Sequence, residues 1–206
     1  MTDTKAKIRE AALKLFNEHG IDAITIRHIA KELGISHGNV QYHYKNTNDI
    51  ILTLFNQLTD DMTAYLAKGD TTPLTTFREW REKMESLFDV ILHYRFIFLH
   101  FVEVVRRVPS IKTIYNSWDK PREQQFMQMF GLMKDQGIFR KDLPDQVWKD
   151  LITQMYIFGD FFLSHNEIKL NLKGKKAVKH YGRIFSNLFY PYLTPKGRQQ
   201  ADELNA

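Results

Sequence analysis

The chain has 206 residues, of which 43% are hydrophobic and 26% charged, with a formal net charge of +5. That is enough for one or two domains with real cores, and the positive balance suits a polyanionic partner. Cysteine is absent, which excludes a disulfide framework and thiol chemistry and fits a cytoplasmic protein.

Charged residues begin at Asp3 with no apolar run behind them, so no signal peptide is expected. The first predicted helix is Lys5 to Gly20, with Ile8, Ala11, Ala12, Leu15 and Phe16 on its inner face. A second follows Thr25, which can cap it. Its Ile26, Ile29, Ala30 and Leu33 fall at i, i+3, i+4 and i+7, one apolar helix face. Gly34 supplies the residue tolerant of positive φ at its end. Ser36 stands at the N-cap of a third helix, in which Val40 and Tyr44 face inward with Ile35.

Two short helices joined by a tight turn place the second helix in the major groove of duplex DNA. The outward residues of that helix are His37, Asn39, Gln41, Tyr42 and His43. All can hydrogen-bond, and amide groups such as those of Asn and Gln pair bidentately with adenine. Gly38 lets the helix approach closely. Residues 1–50 carry seven Lys or Arg against six Asp or Glu, so affinity has to come from placement and dimerisation, not from a broad basic surface.

In order and spacing, AALKLFNEHG, TIRHIAKELGIS and GNVQYHYKN resemble the N-terminal domain of the TetR (tetracycline-repressor-like) family. The resemblance covers roughly the first 55 residues. It implies an all-helical homodimer whose variable C-terminal domain binds a small effector and releases a palindromic operator. Position by position, Thr25 and His43 match phosphate contacts, and Arg27 matches a base or phosphate contact. His37, Gly38, Asn39, Gln41 and Tyr42 match the base-reading surface. The chain departs from the family at Gln41, where Tyr is usual, and at Thr47, where Lys is usual. Both lost groups normally hold phosphate, a duty left to Lys45 or Tyr42. With the capping Ser36, the expected DNA-binding set is Thr25, Arg27, Ser36, His37, Gly38, Asn39, Gln41, Tyr42, His43, Lys45 and Thr47.

Beyond the motif, Asn46 can cap a fourth helix, with Asp49 at its third position as in a capping box. That helix runs to about Lys68, and Gly69 to Pro73 reads as a turn. Further helices are expected at about 73–93, 95–108, 110–136 (kinked or split near Trp118 by Pro121), 144–166 and 174–190. The tail from Thr194 is polar and is expected to fray. The whole is an all-α chain of about nine helices, with a helix-turn-helix domain over 1–46 and an effector-binding and dimerisation domain over 47–206.

In the family the last two long helices pair across the dimer. Met155, Phe158, Phe162, Ile184, Leu188 and Phe189 are the candidates for that seam or for the monomer core. Phe98, Phe101, Trp118, Phe126, Met129, Phe130, Met133, Tyr156 and Asp160 are candidate contacts for a lipophilic or aromatic effector, since Met and aromatic walls suit such ligands; ordinary core packing is the competing reading. The basic run of Lys169, Lys173, Lys175, Lys176, Lys179 and Arg183 reads as a solvated helix entry or as a site for an anionic effector. The stretch 91–105, broken by His93, Arg95, His100 and Glu103, is too short and polar to span a bilayer. No metal site, cofactor or membrane partner is expected. The chain carries no phosphate loop, nucleophile elbow or paired-carboxylate motif, so an enzyme is not expected. The alternative kept open by Gln41 and Thr47 is a helical ligand-binding protein with weakened DNA binding.

Overall fold

The computed structural model describes residues 4–67 and 75–205. Among them the regular elements are all helical. In chain order they are α1 (Thr4–His19), α2 (Ile26–Leu33), α3 (His37–His43), α4 (Thr47–Ala67), α5 (Phe77–His93), α6 (Arg95–Leu99), α7 (Phe101–Arg107), α8 (Pro109–Ser117), α9 (Asp119–Asp135), α10 (Asp145–Lys169), α11 (Lys175–Asn187), a single 3-10 turn at Tyr190–Tyr192, and α12 (Pro195–Asn205). The predicted turn at Gly69 to Pro73 lies outside the described residues.

The chain packs as two units. One holds the chain through Asp61 together with His93–Asn116; the other holds Met62–Leu92 and the chain from Ser117 on. In the first, Ile8, Ala12, Ile29, Val40, Ile50, Ile97 and Val104 are completely buried. Phe16 and Phe96 meet at a tilt with ring centroids 5.1 Å apart. Asn17 joins α1 to the start of α6: its amide donates to the His93 carbonyl at 2.8 Å, and its oxygen accepts from the Phe96 N–H at 3.0 Å.

The second unit is built on a cluster of rings. Trp80 of α5 meets Phe189 at 4.0 Å and Phe77 at 5.2 Å. Phe130 of α9 meets Trp148 of α10 at 5.2 Å. Fully burying side chains of this size contributes roughly 1.5–3 kcal/mol each.

Two expected boundaries move, and the expected split near Trp118 is found. The helix predicted over 95–108 breaks at His100, which caps α6 and begins α7. The helix predicted over 110–136 divides at Trp118, where Pro121 falls in the first turn of α9 and removes an N–H that has no partner within the helix. The tail expected to fray forms α12. Thr194 Oγ1 accepts from the Gly197 N–H at 3.1 Å, Gln200 accepts from the Phe77 N–H at 2.8 Å, and Ala201 is buried. Gly197 lies so close to the Ile138 carbonyl that a Cβ there would collide with it.

Candidate nucleic-acid interface

α2 buries Ile26, Ile29 and Ala30. Its N-cap Thr25 is extended, and its backbone N–H reaches Nδ1 of His28 at 3.2 Å. Gly34 closes the helix at φ 65° and sends its N–H back to the carbonyls of Ala30 and Lys31; only a residue without Cβ takes that left-handed turn freely. Ser36 then caps α3, accepting from the Asn39 N–H at 3.1 Å. One face of α3 is anchored by Val40 and Tyr44, both buried, with Lys5 over the Tyr44 ring at 5.5 Å.

The opposite face of α3 is open. His37, Gly38, Asn39 and Gln41 are exposed. Tyr42 is 86% exposed and meets the half-buried His43 edge-on at 5.2 Å. Thr25, Arg27, Ser36 and Lys45 are also exposed. A large aromatic phenol held in water by a short, doubly capped helix is unexplained by packing and suits a partner surface.

Beyond α3 the chain is held by a shifted version of the expected cap. Asn46 accepts from the Asp49 N–H at 3.1 Å, but the Asp49 carboxylate accepts from Lys45 N–H, not from that of Asn46. Thr47 differs from the rest of the expected set in being buried, and its hydroxyl accepts from Arg107 of α7 at 3.0 Å. Reasoning from sequence missed Arg107, which lies 60 residues away and carries no local signal.

The expected effector contacts are divided between the units. Phe98 and Phe101 stack at 6.3 Å in the first. Trp118, Phe126, Met129, Phe130, Met133, Tyr156 and Asp160 belong to the second. Phe130 and Met133 are completely buried, and Phe126 faces Tyr156 at 6.4 Å. The sequence reading passed over Arg122, which is buried and sits over the Trp118 ring at 5.1 Å; its signal was the four-residue ladder Trp118, Arg122, Phe126, Phe130. The Tyr156 hydroxyl is buried with no hydrogen-bond partner among the described residues. Burial pushes it up to about 12, opposed by Arg122 and reinforced by Asp119, Glu123 and Asp160. A separate cleft of about 500 Å³ opens in the first unit between Arg9 and Lys14 of α1, Leu54 and Gln57 of α4, and Tyr94; none of the expected effector residues lines it.

Of the candidate seam residues, Met155, Phe162 and Phe189 are buried within the monomer and Phe158, Ile184 and Leu188 are half-buried, whereas Ile157, Phe161 and Ile168, outside the expected set, stand exposed along α10. Among the described residues no helix is long and apolar enough to cross a membrane.

Comparison with known proteins agrees with this geometry. Residues 8–54 match the family model described as bacterial regulatory proteins, tetR family, and residues 57–201 match one described as a bacterial transcriptional repressor. An HTH-type transcriptional regulator of Staphylococcus aureus is 25% identical over 180 residues, covering 82% of this chain and 86% of the relative. The crystal structure of a TetR-family transcriptional regulator from Marinobacter aquaeolei VT8 is 26% identical and superimposes with a TM-score of 0.88 over 98% of this chain and 97% of that one. SmeT, the repressor of the Stenotrophomonas maltophilia multidrug efflux pump SmeDEF, shares the fold at 17% identity and a TM-score of 0.65, covering 94% and 92% of the two chains. With a helix-turn-helix whose polar face is exposed, one family model matching the segment that holds it and another matching the body that follows, the chain belongs to the TetR family and is a DNA-binding transcriptional regulator.

Proposed function

We propose that the chain is a homodimeric repressor that reads a palindromic operator through α3 and leaves it when a small effector binds its C-terminal body. The observation that carries this reading is the exposed polar face of α3, above all Tyr42 at 86% exposure. Residues 1–46 are the reading segment and residues 47–206 the effector-binding and dimerisation segment. Asn39, Gln41 and Tyr42 read bases, and Arg27, Thr25, His43 and Lys45 hold the backbone.

One helix-turn-helix reads few base pairs, whereas a two-fold dimer reads two half-sites about 34–36 Å apart. The exposed Ile157, Phe161 and Ile168 on α10 support dimerisation through that helix. The effector site is centred on Trp118, Phe126, Met129, Tyr156 and Asp160. Buried Arg122 and the partnerless Tyr156 hydroxyl supply polar groups among the rings, a combination that orients a ligand. Phe130 and Met133 form its packed backing. Such an effector must bind the DNA-incompetent state better than the operator-bound one, since otherwise no population shifts.

The test is selection of bound duplex from a random library at near-physiological salt. An enriched palindrome supports the reading. Folded dimer with no enrichment refutes it and favours a ligand-binding protein without an operator.

A further inference from the structure

Arg107 occupies an unusual place relative to the reading motif. Its Nη1 donates to the Ile21 carbonyl and to Asp22 Oδ1, both at 3.2 Å. Nε donates to Asn48 Oδ1 at 2.7 Å, and Nη2 to Thr47 Oγ1 at 3.0 Å. Four of the roughly five N–H donors of a guanidinium are thereby used. Ile21 and Asp22 lie where the chain enters the helix-turn-helix, and Thr47 and Asn48 where it leaves. One side chain on α7, itself part of the same unit, thus ties the two ends of the inserted motif together.

The partners differ in exposure: Asp22 is 80% exposed at its side chain, Arg107 only 26%, and Thr47 is buried. The surface ion pair with Asp22 is therefore a minor contributor. The bonds to Thr47 and Asn48 are part-buried, and a planar fork makes them with a geometry that a lysine ammonium cannot copy.

We propose that Arg107 is a positioning residue for DNA binding. By holding both ends of the helix-turn-helix it fixes the pose of α3, and Thr47, at a position where the family places a phosphate ligand, instead serves as its internal acceptor. This rests on the DNA-binding reading above. It adds that the pose of α3, and with it base reading, depends on a side chain that touches no DNA.

The experiment is fluorescence anisotropy of wild type, Arg107→Ala, Arg107→Lys, Thr47→Val and the Arg107→Ala/Thr47→Val double variant on the selected operator, across a salt series. Loss of charge-assisted hydrogen bonds should weaken Arg107→Ala by roughly tenfold or more. The slope of log K against log salt should be unchanged, because no phosphate contact is lost. Arg107→Lys should be nearly as weak as Arg107→Ala. Adding Thr47→Val to Arg107→Ala should weaken binding no further.

Three results overturn the proposal: wild-type affinity in Arg107→Ala, a salt slope lower by about 1 with rescue by lysine, which would make Arg107 a phosphate contact, or an additive loss from Thr47→Val. Should Arg107→Ala fail to fold, Thr47→Val and Asn48→Ala each remove one bond and are read the same way. Amide exchange at residues 21–22 and 46–49 separates the two readings. Faster exchange in Arg107→Ala with a wild type that binds no duplex sinks the regulator reading and the DNA consequence, but leaves the anchor. Unchanged exchange beside intact DNA binding sinks the proposal alone.

Discussion

Asn39 has one structural duty and one proposed one, and substitution can distinguish them. Its backbone N–H is held by Ser36 Oγ at 3.1 Å, while its side chain stands on the exposed face of α3. Removing the cap by Ser36→Ala should lower stability by about 1 kcal/mol in thermal melts and weaken specific and random duplexes alike. Asn39→Ala leaves the cap intact; if the amide reads a base, it should cost about 1–3 kcal/mol on the operator and little on random DNA. Equal losses on both would make Asn39 a backbone contact. Tyr156 offers a different residue-scale test. Its pKa lies near 12 rather than 10.0, chiefly through burial. A pKa raised in the folded state gives stability that is complete below the unfolded value and lost as pH climbs through the folded one. Wild type should therefore lose about 1 kcal/mol relative to Tyr156→Phe by pH 11, because the unfolded phenol ionises before the folded one. At neutral pH the variant should be as stable or more so, because it removes a buried hydroxyl without a partner. Urea midpoints of the two proteins at pH 8 and pH 11 decide it: a constant difference would show that Tyr156 titrates normally.

At the scale of elements, legibility in the sequence followed how local the stabilising contacts are. α2 announces itself because Ile26, Ile29 and Ala30 recur at helical spacing beside a capping Thr25 and a terminal Gly34. α3 is legible for the same reason, with Val40 and Tyr44 four residues apart. α12 is not: its one deeply buried apolar residue is Ala201, and it is held by distant bonds, Phe77 N–H to Gln200 and Arg81 to the Leu204 carbonyl. No window of its own sequence contains that information. The break at His100 was hidden likewise, since residues 95–107 keep a helical apolar pattern straight through it. At the site, the exposed face of α3 was readable from residue type and Arg122 from its place in a four-residue ladder, whereas Arg107 was not readable, because its partners Ile21, Asp22, Thr47 and Asn48 are distant in the chain. Gly197 makes the α12 case testable. Gly197→Val must displace the helix from the Ile138 carbonyl, so the melting temperature should fall and a protease should cut first after residue 193. An unchanged melt would mean that α12 contributes nothing to its unit.

For the whole molecule the decisive question is what covers α10. Ile157, Phe161 and Ile168 are 57%, 45% and 80% exposed, and their spacing of four and seven residues puts them on one helical stripe. The apolar residues on the opposite side of α10, Met155 and Phe162, are already used by the monomer core. The stripe is therefore additional to what folding requires, and a second copy is the occupant that the proposed palindromic operator demands. An isologous contact repeats each side chain twice, so one substitution is felt at two places. Ile157→Asp with Phe161→Asp should convert the dimer to a folded monomer in sedimentation equilibrium, with the far-ultraviolet helical signal kept. Operator affinity should fall far more than the affinity for an isolated half-site, because the energy lost is that of joining two heads. If the double variant remains dimeric, the seam lies elsewhere and the stripe faces some other partner. If it becomes monomeric yet binds the full operator undiminished, the two heads act independently and the two-fold reading of DNA is wrong.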